Sequence, residues 1–225
     1  MYDSDNILRF LTAIDQNNNR EWFAEHRDWY EQTINDHQNL VSQMIAQIGS
    51  WDSEIAHLQP KDCIYRIYRD TRFSPDKSPY KRYLGAYVAA PNGKRSIRAG
   101  YYLHLQPGSS FFAAGYWYPD KDRIRAVRQS IVDNYDELEE IMYAPEFVRA
   151  FGDMDSDDML KTVPRGFDRD FVHADWLRRR SFTISHRLSD LEVRSNRLMP
   201  TINRLARLAA PYNRFFNFTV DELAG

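Results

Sequence analysis

The chain contains little cysteine and little glycine, and it has no long apolar run. Its 225 residues include one cysteine and nine glycines. Cys63 cannot form an internal disulfide, so nothing favours an oxidising compartment, and we expect it to be a small buried residue. No stretch approaches the roughly 20 apolar residues that a membrane helix needs. The first residues lack the basic-then-apolar order of a signal peptide. We therefore predict a soluble, cytoplasmic protein with no membrane partner.

The sequence also lacks the common nucleotide-binding and nucleophile motifs. Neither G-x-G-x-x-G, G-x-x-x-x-G-K nor G-x-S-x-G occurs. Zinc-ligand spacings of histidine and cysteine are missing as well. Asp168, Asp170 and His173 place oxygen and nitrogen donors close in sequence, but Asp170 equally suits a helix cap. We therefore predict no cofactor and no metal site, and dehydrogenase, P-loop and α/β-hydrolase chemistry are disfavoured.

Charge is distributed in alternating blocks, although the net charge is only −2. Residues 61–130 carry 14 basic and 5 acidic side chains, and residues 160–225 carry 12 and 7. The remaining blocks, 1–60 and 131–159, are acidic. Either acidic helices compensate basic segments internally, or the basic blocks converge on a cleft that attracts an anion. The nearly neutral total disfavours a nucleic-acid partner, and the oligomeric state cannot be predicted.

The hydrophobic pattern predicts one α+β domain spanning residues 1–225. Three strands separated by turns should form an antiparallel meander, with one or two further strands and several packing helices. The middle strand should direct Tyr102, His104 and Gln106 to one face. Asn18 is predicted to cap a helix that runs to Gly49, and Pro211 to end the last helix. The predicted strands are 63–68, 83–90, 97–106, 110–118 and 182–186, and the later helices are 124–141, 145–152, 171–179 and 189–210.

The densest candidate site lies between residues 65 and 81, where arginine and lysine alternate with tyrosine and hydroxyl side chains. Arginine binds oxyanions through a planar fork and lysine through a point charge. A second basic stretch around Arg165 is expected to fold towards the first. Alternatively, Arg69 or Arg72 pairs with Asp70 or another carboxylate and only pins the loop. The predicted ligand-binding residues are Arg66, Arg69, Arg72, Lys77, Tyr80, Lys81, Tyr102 and Arg165.

A strand histidine is the main candidate for catalysis. His104 lies beside Tyr102 and suits a general acid or base near neutral pH. Asp70 or Asp168 would orient it. A lone histidine on a half-buried sheet is also a common hydrogen-bonded core residue, and no nucleophile is evident.

Six segments, in chain order, form a recognisable pattern: Asn18-Asn19-Arg20-Glu21-Trp22-Phe23, Tyr68-Arg69-Asp70-Thr71-Arg72-Phe73, Lys77-Ser78-Pro79-Tyr80-Lys81, Tyr101-Tyr102-Leu103-His104-Leu105, Pro107-Gly108 and Pro164-Arg165-Gly166-Phe167-Asp168. Together they resemble a bacterial family known as domain of unknown function 2461, over roughly residues 6–208. Two departures from the usual family pattern are Ala113-Ala114-Gly115 in place of a glycine run, and Phe171 where a histidine often follows an aspartate. The resemblance implies a stand-alone cytoplasmic domain and assigns no activity.

Three functions follow from these patterns. The first is binding of a small anionic, phosphate-bearing ligand in a cleft lined by arginine, lysine and tyrosine. The second is a structural or interaction module whose basic loops are internally paired. The third is a metal-independent enzyme that acts on a phosphoester with His104 as proton shuttle.

Overall fold

Four strands form one antiparallel sheet in the computed structural model, which describes residues 1–223 of the chain. Adjacent strands follow one another in chain order. The strands are β1 Leu84–Val88, β2 Gly100–Leu105, β3 Ser110–Tyr116 and β4 Phe182–Leu188. The predicted meander of three strands with one additional strand is confirmed.

Helices make up most of the remaining regular structure, so the predicted α+β class is confirmed. Residues 93–95 form a short 3₁₀-helix between β1 and β2. The α-helices within residues 1–223 are α1 Ser4–Gln16, α2 Arg20–Glu25, α3 Arg27–Gly49, α4 Pro60–Cys63, α5 Lys121–Asp133, α6 Tyr135–Met142, α7 Pro145–Phe151, α8 Ala174–Arg178, α9 Asp190–Val193 and α10 Leu198–Glu222.

The chain divides into two compact units, each built from three separate stretches. The expected single domain over residues 1–225 therefore stays a prediction. The first unit comprises Met1–Arg95, Tyr102–Phe112 and Arg187–Asn203, and the second comprises Ser96–Tyr101, Ala113–His186 and Arg204–Gly225.

In the first unit, the apolar face of α1 is buried and its polar start is tied to α3. Asp3 caps α1 by accepting a hydrogen bond from the backbone N–H of Asn6. The Asn6 side chain then donates to Asp36 at 2.9 Å and accepts from the Trp29 indole at 2.8 Å. These buried polar groups satisfy one another, which fixes the register of α1 on α3.

A long irregular hairpin precedes β1 in the same unit. The predicted strand at residues 63–68 is replaced by antiparallel bridges, Ile64 to Ala86 and Tyr68 to Tyr80. Asn18 does not cap a helix; its side chain accepts from the backbone N–H of Tyr80 and donates to the Tyr80 carbonyl. It therefore pairs with the hairpin as a neighbouring strand would. Asn19 caps α2 instead, because its side chain accepts from the backbone N–H of Trp22.

The second unit is organised around α10, which continues through Pro211 to Glu222. The prediction that Pro211 ends this helix is wrong, because the helix beyond it buries Tyr212 and Phe216. Proline removes one backbone donor, but burial of large aromatic side chains outweighs that loss. Helix α8 also begins later than predicted, at Ala174, and Asp170 does not cap it.

Gly115 allows the closest approach of two strands in this unit. Its φ of +115° lies in the region that favours glycine. A Cβ at this position would lie 2.1 Å from the carbonyl oxygen of Phe182 on β4. Any other residue would therefore push β3 and β4 apart.

Candidate ligand-binding site

The loop at the tip of the hairpin is held by ion pairs and hydrogen bonds between its own side chains. Arg69 contacts Asp76 at 2.5 Å and also donates to the carbonyl of Ser78. Hydrogen bonds from Ser78, followed by the guanidinium of Arg69, hold the pKa of Asp76 well below its usual range. Most of the oxyanion-binding capacity of Arg69 is therefore used inside the loop.

The other two cations of the loop are bound locally as well. Arg72 pairs with Asp70 at 2.6 Å, and its hydrogen bonds lower the pKa of that carboxyl. The ammonium of Lys77 donates to the carbonyl of Thr71 at 2.9 Å. Because Asp70 is engaged by Arg72, this carboxylate serves the loop. The pairing of Arg69 and Arg72 with nearby carboxylates matches the structural alternative for this segment.

Tyr80 anchors the hairpin through its buried side chain. It is only 5% exposed, and its ring stacks on Phe23 with centroids 4.1 Å apart. Its backbone is held on both sides by Asn18. Little of Tyr80 is left to contact a ligand.

Two other cations of the basic stretch form no ion pair among residues 1–223. The ammonium of Lys81 lies 5.6 Å from the ring centroids of both Tyr65 and Tyr83. Burial, and then the nearby charge of Arg66, lower the pKa of Lys81. The side chain of Arg66 is exposed. Lys81 thus carries a positive charge without an ion pair beside a half-buried aromatic wall formed by Tyr65 and Tyr83.

A chain of hydrogen bonds runs along the half-buried face of β2, next to the aromatic wall of Tyr65 and Tyr83. The Tyr102 hydroxyl is 3.0 Å from Nδ1 of His104, and Nε2 of His104 is 3.0 Å from Oε1 of Gln106. Because Oε1 can only accept, Nε2 carries the proton and Nδ1 accepts from the Tyr102 hydroxyl. Tyr102, His104 and Gln106 are half-buried whereas Tyr101, Leu103 and Leu105 are buried, so the predicted faces of β2 are confirmed.

Aromatic rings enclose His104 on both sides. Tyr83 stacks on it with centroids 4.4 Å apart, and Phe111 does so at 4.6 Å. Burial lowers the pKa of His104 and raises that of Tyr102, so both groups are neutral near pH 7. We call this region the Lys81 surface; it consists of Tyr65, Arg66, Lys81, Tyr83, Tyr102, His104, Gln106 and Phe111.

Gly85 makes room for this arrangement on β1. A Cβ at Gly85 would lie 2.6 Å from the Tyr102 hydroxyl oxygen. The missing side chain therefore allows Tyr102 to lie across β1 while it donates to His104.

Two of the remaining predicted residues, Arg165 and Asp168, belong to the second unit. Arg165 is exposed in an irregular segment, and its approach to the first basic stretch stays a prediction. Asp168 accepts a hydrogen bond from the backbone of Asp170. His173 contacts Glu139 at 2.6 Å.

Cys63 is buried, as predicted. Burial, with the charge of Asp62, raises the pKa of its thiol to about 12, so Cys63 is not an activated nucleophile.

The sequence-based site omitted Tyr83 and Phe111. The two-residue period of a strand could have predicted Tyr83, because Lys81, Tyr83 and Gly85 lie on one face of the strand. The same period places Tyr102, His104 and Gln106 on one face of β2. Phe111 follows a turn, and only the pairing of β2 with β3 brings it beside His104.

Among residues 1–223, no group of three or more histidine, cysteine, aspartate or glutamate side chains is placed to hold a metal ion. None of the helices in that range combines the length and apolar character required to cross a membrane.

Comparison with known proteins gives one match. The family model described as "Conserved hypothetical protein (DUF2461)" matches residues 6–215. No curated protein and no solved structure matches the chain. The matched range includes the whole hairpin and the sheet.

Proposed function

Because this chain belongs to the DUF2461 family of conserved hypothetical proteins, whose description names no activity, we propose its function from the site alone: it binds a small, anionic, phosphate-bearing molecule on the Lys81 surface. The observation that carries this proposal is the half-buried ammonium of Lys81, which forms no ion pair among residues 1–223 and lies near the positive charge of Arg66. By contrast, Arg69 and Arg72 of the same hairpin are paired with Asp76 and Asp70. An unpaired, partly desolvated positive charge is stabilised when an anion binds it.

Arg66 and Lys81 would contact the anion in different ways. Arg66 offers the planar fork that matches phosphate oxygens, and Lys81 offers a point charge. Lys81 is already partly desolvated between the rings of Tyr65 and Tyr83. A phosphate there would meet a charge weakly screened by water, which strengthens the attraction.

The rest of the Lys81 surface would select the organic part of the ligand. Tyr65, Tyr83 and Phe111 offer aromatic area on which a planar group can pack. The Tyr102 hydroxyl donates a hydrogen bond to Nδ1 of His104, so its oxygen can accept a hydrogen bond from a hydroxyl of the ligand. The proposed ligand is therefore a phosphate ester that carries a planar, hydroxyl-bearing group.

In this proposal the predicted residues have two different roles. Arg66, Lys81 and Tyr102 contact the ligand, and His104 positions Tyr102. Arg69, Arg72 and Lys77 shape the loop at the tip of the hairpin. In this proposal, the predicted alternative of internally paired basic residues applies to that loop alone. The ligand binds beside the loop, on the Lys81 surface.

The test uses phenyl phosphate as the probe and phenol as its uncharged match, with binding followed by calorimetry and by NMR of the aromatic side chains. We expect phenyl phosphate to bind and to shift the resonances of Tyr65 and Tyr83. Phenol should bind much more weakly. Because charge-assisted hydrogen bonds contribute roughly 1.5–3 kcal/mol, Arg66→Gln or Lys81→Gln should weaken binding by about 10- to 100-fold.

Lys77→Gln is the matched control, because Lys77 lies in the same hairpin but its ammonium is bound to the Thr71 carbonyl. It should leave the affinity for phenyl phosphate unchanged. Equal weakening by Lys77→Gln and Lys81→Gln would show that only the general charge of the hairpin matters, and the proposal would be rejected. Absence of any binding by the wild-type protein would reject it as well.

A further inference from the structure

Lys81 is placed unlike an ordinary surface lysine. An ammonium group is usually fully hydrated or paired with a carboxylate. Lys81 is half-buried, its Nζ faces two tyrosine rings at 5.6 Å each, and it has no carboxylate partner among residues 1–223. The other charge that acts on it is the positive charge of Arg66.

Burial and the positive charge of Arg66 favour the neutral amine of Lys81 over its ammonium form. Removing water from an ammonium group costs free energy, and a like charge nearby adds to that cost. Both effects lower the pKa of Lys81, with burial as the larger cause. A lysine that is desolvated and lies next to another cation is the arrangement that activates an amine as a nucleophile.

We propose that Lys81 forms an imine with a carbonyl group of the anionic molecule bound at this surface. The inference rests on the proposed function, because the bound phosphate is what would hold the carbonyl carbon near Nζ. Arg66 keeps its charge at every accessible pH and would retain the phosphate while Lys81 reacts.

The reaction balances with water as its only by-product. The lone pair of the neutral Lys81 amine attacks the carbonyl carbon, and the carbon–oxygen π electrons move to the oxygen. The nitrogen loses a proton to solvent and the oxygen gains one, which gives a carbinolamine. Protonation of the carbinolamine hydroxyl by solvent lets water leave while the nitrogen lone pair forms a carbon–nitrogen double bond. The nitrogen then returns its remaining proton to solvent, which gives the imine. No oxidant, reductant or metal is required.

The Lys81 surface suits this step for two reasons. It is open enough for water to carry the protons, since its side chains are half-buried or exposed. Its aromatic rings can pack against a planar aldehyde, which limits the orientations of the carbonyl. The hydrogen-bond chain from Tyr102 to Gln106 would position a hydroxyl of the same molecule.

The experiment compares two probes that differ only at the reacting carbon. Pyridoxal 5′-phosphate carries an aldehyde, and pyridoxine 5′-phosphate carries an alcohol at the same position. The full chain is incubated with less than one equivalent of pyridoxal 5′-phosphate, reduced with borohydride, and mapped by peptide mass spectrometry. Affinity for pyridoxine 5′-phosphate is measured separately by calorimetry.

We expect the reduced adduct to concentrate on Lys81. At about pH 7.5, labelling of Lys81 should exceed that of Lys77 severalfold, because burial and the charge of Arg66 lower the pKa of Lys81 and leave more of it as the neutral amine. Lys77 serves as the internal control because its ammonium is exposed and bound only to a backbone carbonyl. In Lys81→Arg, the surface keeps its charge and the dominant adduct should disappear.

A pH series tests the role of Arg66. Arg66→Gln removes the nearby positive charge, so the pH at which Lys81 labelling reaches half its maximal rate should rise. Labelling of Lys77 should keep its pH profile in that variant. An unchanged profile of Lys81 labelling in Arg66→Gln would overturn the activation by Arg66.

Failure of this inference can be distinguished from failure of the proposed function. If pyridoxine 5′-phosphate binds but the pyridoxal adduct spreads evenly over Lys61, Lys77, Lys81 and Lys94, the surface binds anions and Lys81 is not a selective nucleophile. If neither phosphate binds and no selective adduct forms, both the proposed function and the inference are wrong.

Discussion

Acidification from pH 7 to pH 4 should destabilise the fold through one buried side chain, His37 on α3. His37 is fully buried, and neither of its ring nitrogens has a hydrogen-bond partner. Burial lowers its pKa from 6.5 to about 4. The folded state therefore resists taking up a proton that the unfolded state binds readily.

The pKa difference sets the size and the pH window of the effect. Above pH 6.5, His37 is neutral in both states and its full contribution to stability is present. As pH falls from 6.5 towards 4, the unfolded state binds one more proton than the folded state, so the free energy of unfolding decreases. Each pKa unit corresponds to roughly 1.4 kcal/mol, so the loss reaches about 3 kcal/mol near pH 4.

Urea denaturation of the wild type and of His37→Leu, at several pH values between 4 and 7, measures this effect. Leucine fills the buried site without a titrating group, so the stability difference between the two proteins should change by about 3 kcal/mol in favour of the variant as pH falls. Carboxylates that titrate in the same range affect both proteins alike. His57→Gln, at an exposed histidine, is the control and should follow the wild type. If the His37→Leu and wild-type curves run parallel from pH 7 to 4, the assignment of the acid sensitivity to His37 is refuted.

Three further substitutions test how glycine, a loop carboxylate and a helical proline act in the fold. Gly115→Ala should lower the melting temperature sharply or prevent folding, because the new Cβ would overlap the Phe182 carbonyl; an unchanged melting temperature would contradict the close approach of the strands. Asp76→Asn should accelerate protease cleavage within residues 70–78 while the melting temperature changes little, since it weakens bonds that hold only the exposed loop. Pro211→Ala should raise stability by about 1 kcal/mol or more in urea denaturation, because it restores a backbone donor within α10; a loss of stability would show that proline is needed at that position.

Local periodicity was sufficient to predict the sheet and the orientation of β2. Tyr102, His104 and Gln106 alternate with three apolar or aromatic residues, and strand geometry alone determines which set is buried. The capping box that Ser189 forms with Glu192 at the start of α9 is equally local in sequence. Such features depend only on neighbours within a few residues.

The partners of the basic residues could not be predicted in the same way. Arg69 and Asp76 are seven residues apart, and only the hairpin brings them within 2.5 Å. Composition predicts that Arg69 and Lys81 both bind an anion. In the structure, Arg69 is paired with Asp76, whereas the ammonium of Lys81 lies against the rings of Tyr65 and Tyr83. The difference arises from tertiary neighbours.

Two errors have the same origin. The prediction that α10 ends at Pro211 used local propensity, whereas burial of Tyr212 and Phe216 decides the length of the helix. The side chain of Asn18 suits a helix cap, which is why the sequence predicts that role. Asn18 instead forms hydrogen bonds with the backbone of Tyr80, 62 residues further along the chain.

The double hydrogen bond of Asn18 has a consequence for how this protein tolerates insertions and deletions. Tyr80 immediately precedes Lys81. The turn at residues 17–19, which follows α1 and consists of three asparagines, therefore fixes the position of the Lys81 amine relative to the tyrosine rings. A residue added to or removed from that turn would slide the ammonium along the tyrosine rings while the sheet itself stayed intact. Homologous chains that change the length of this turn should therefore alter ligand preference before they lose stability.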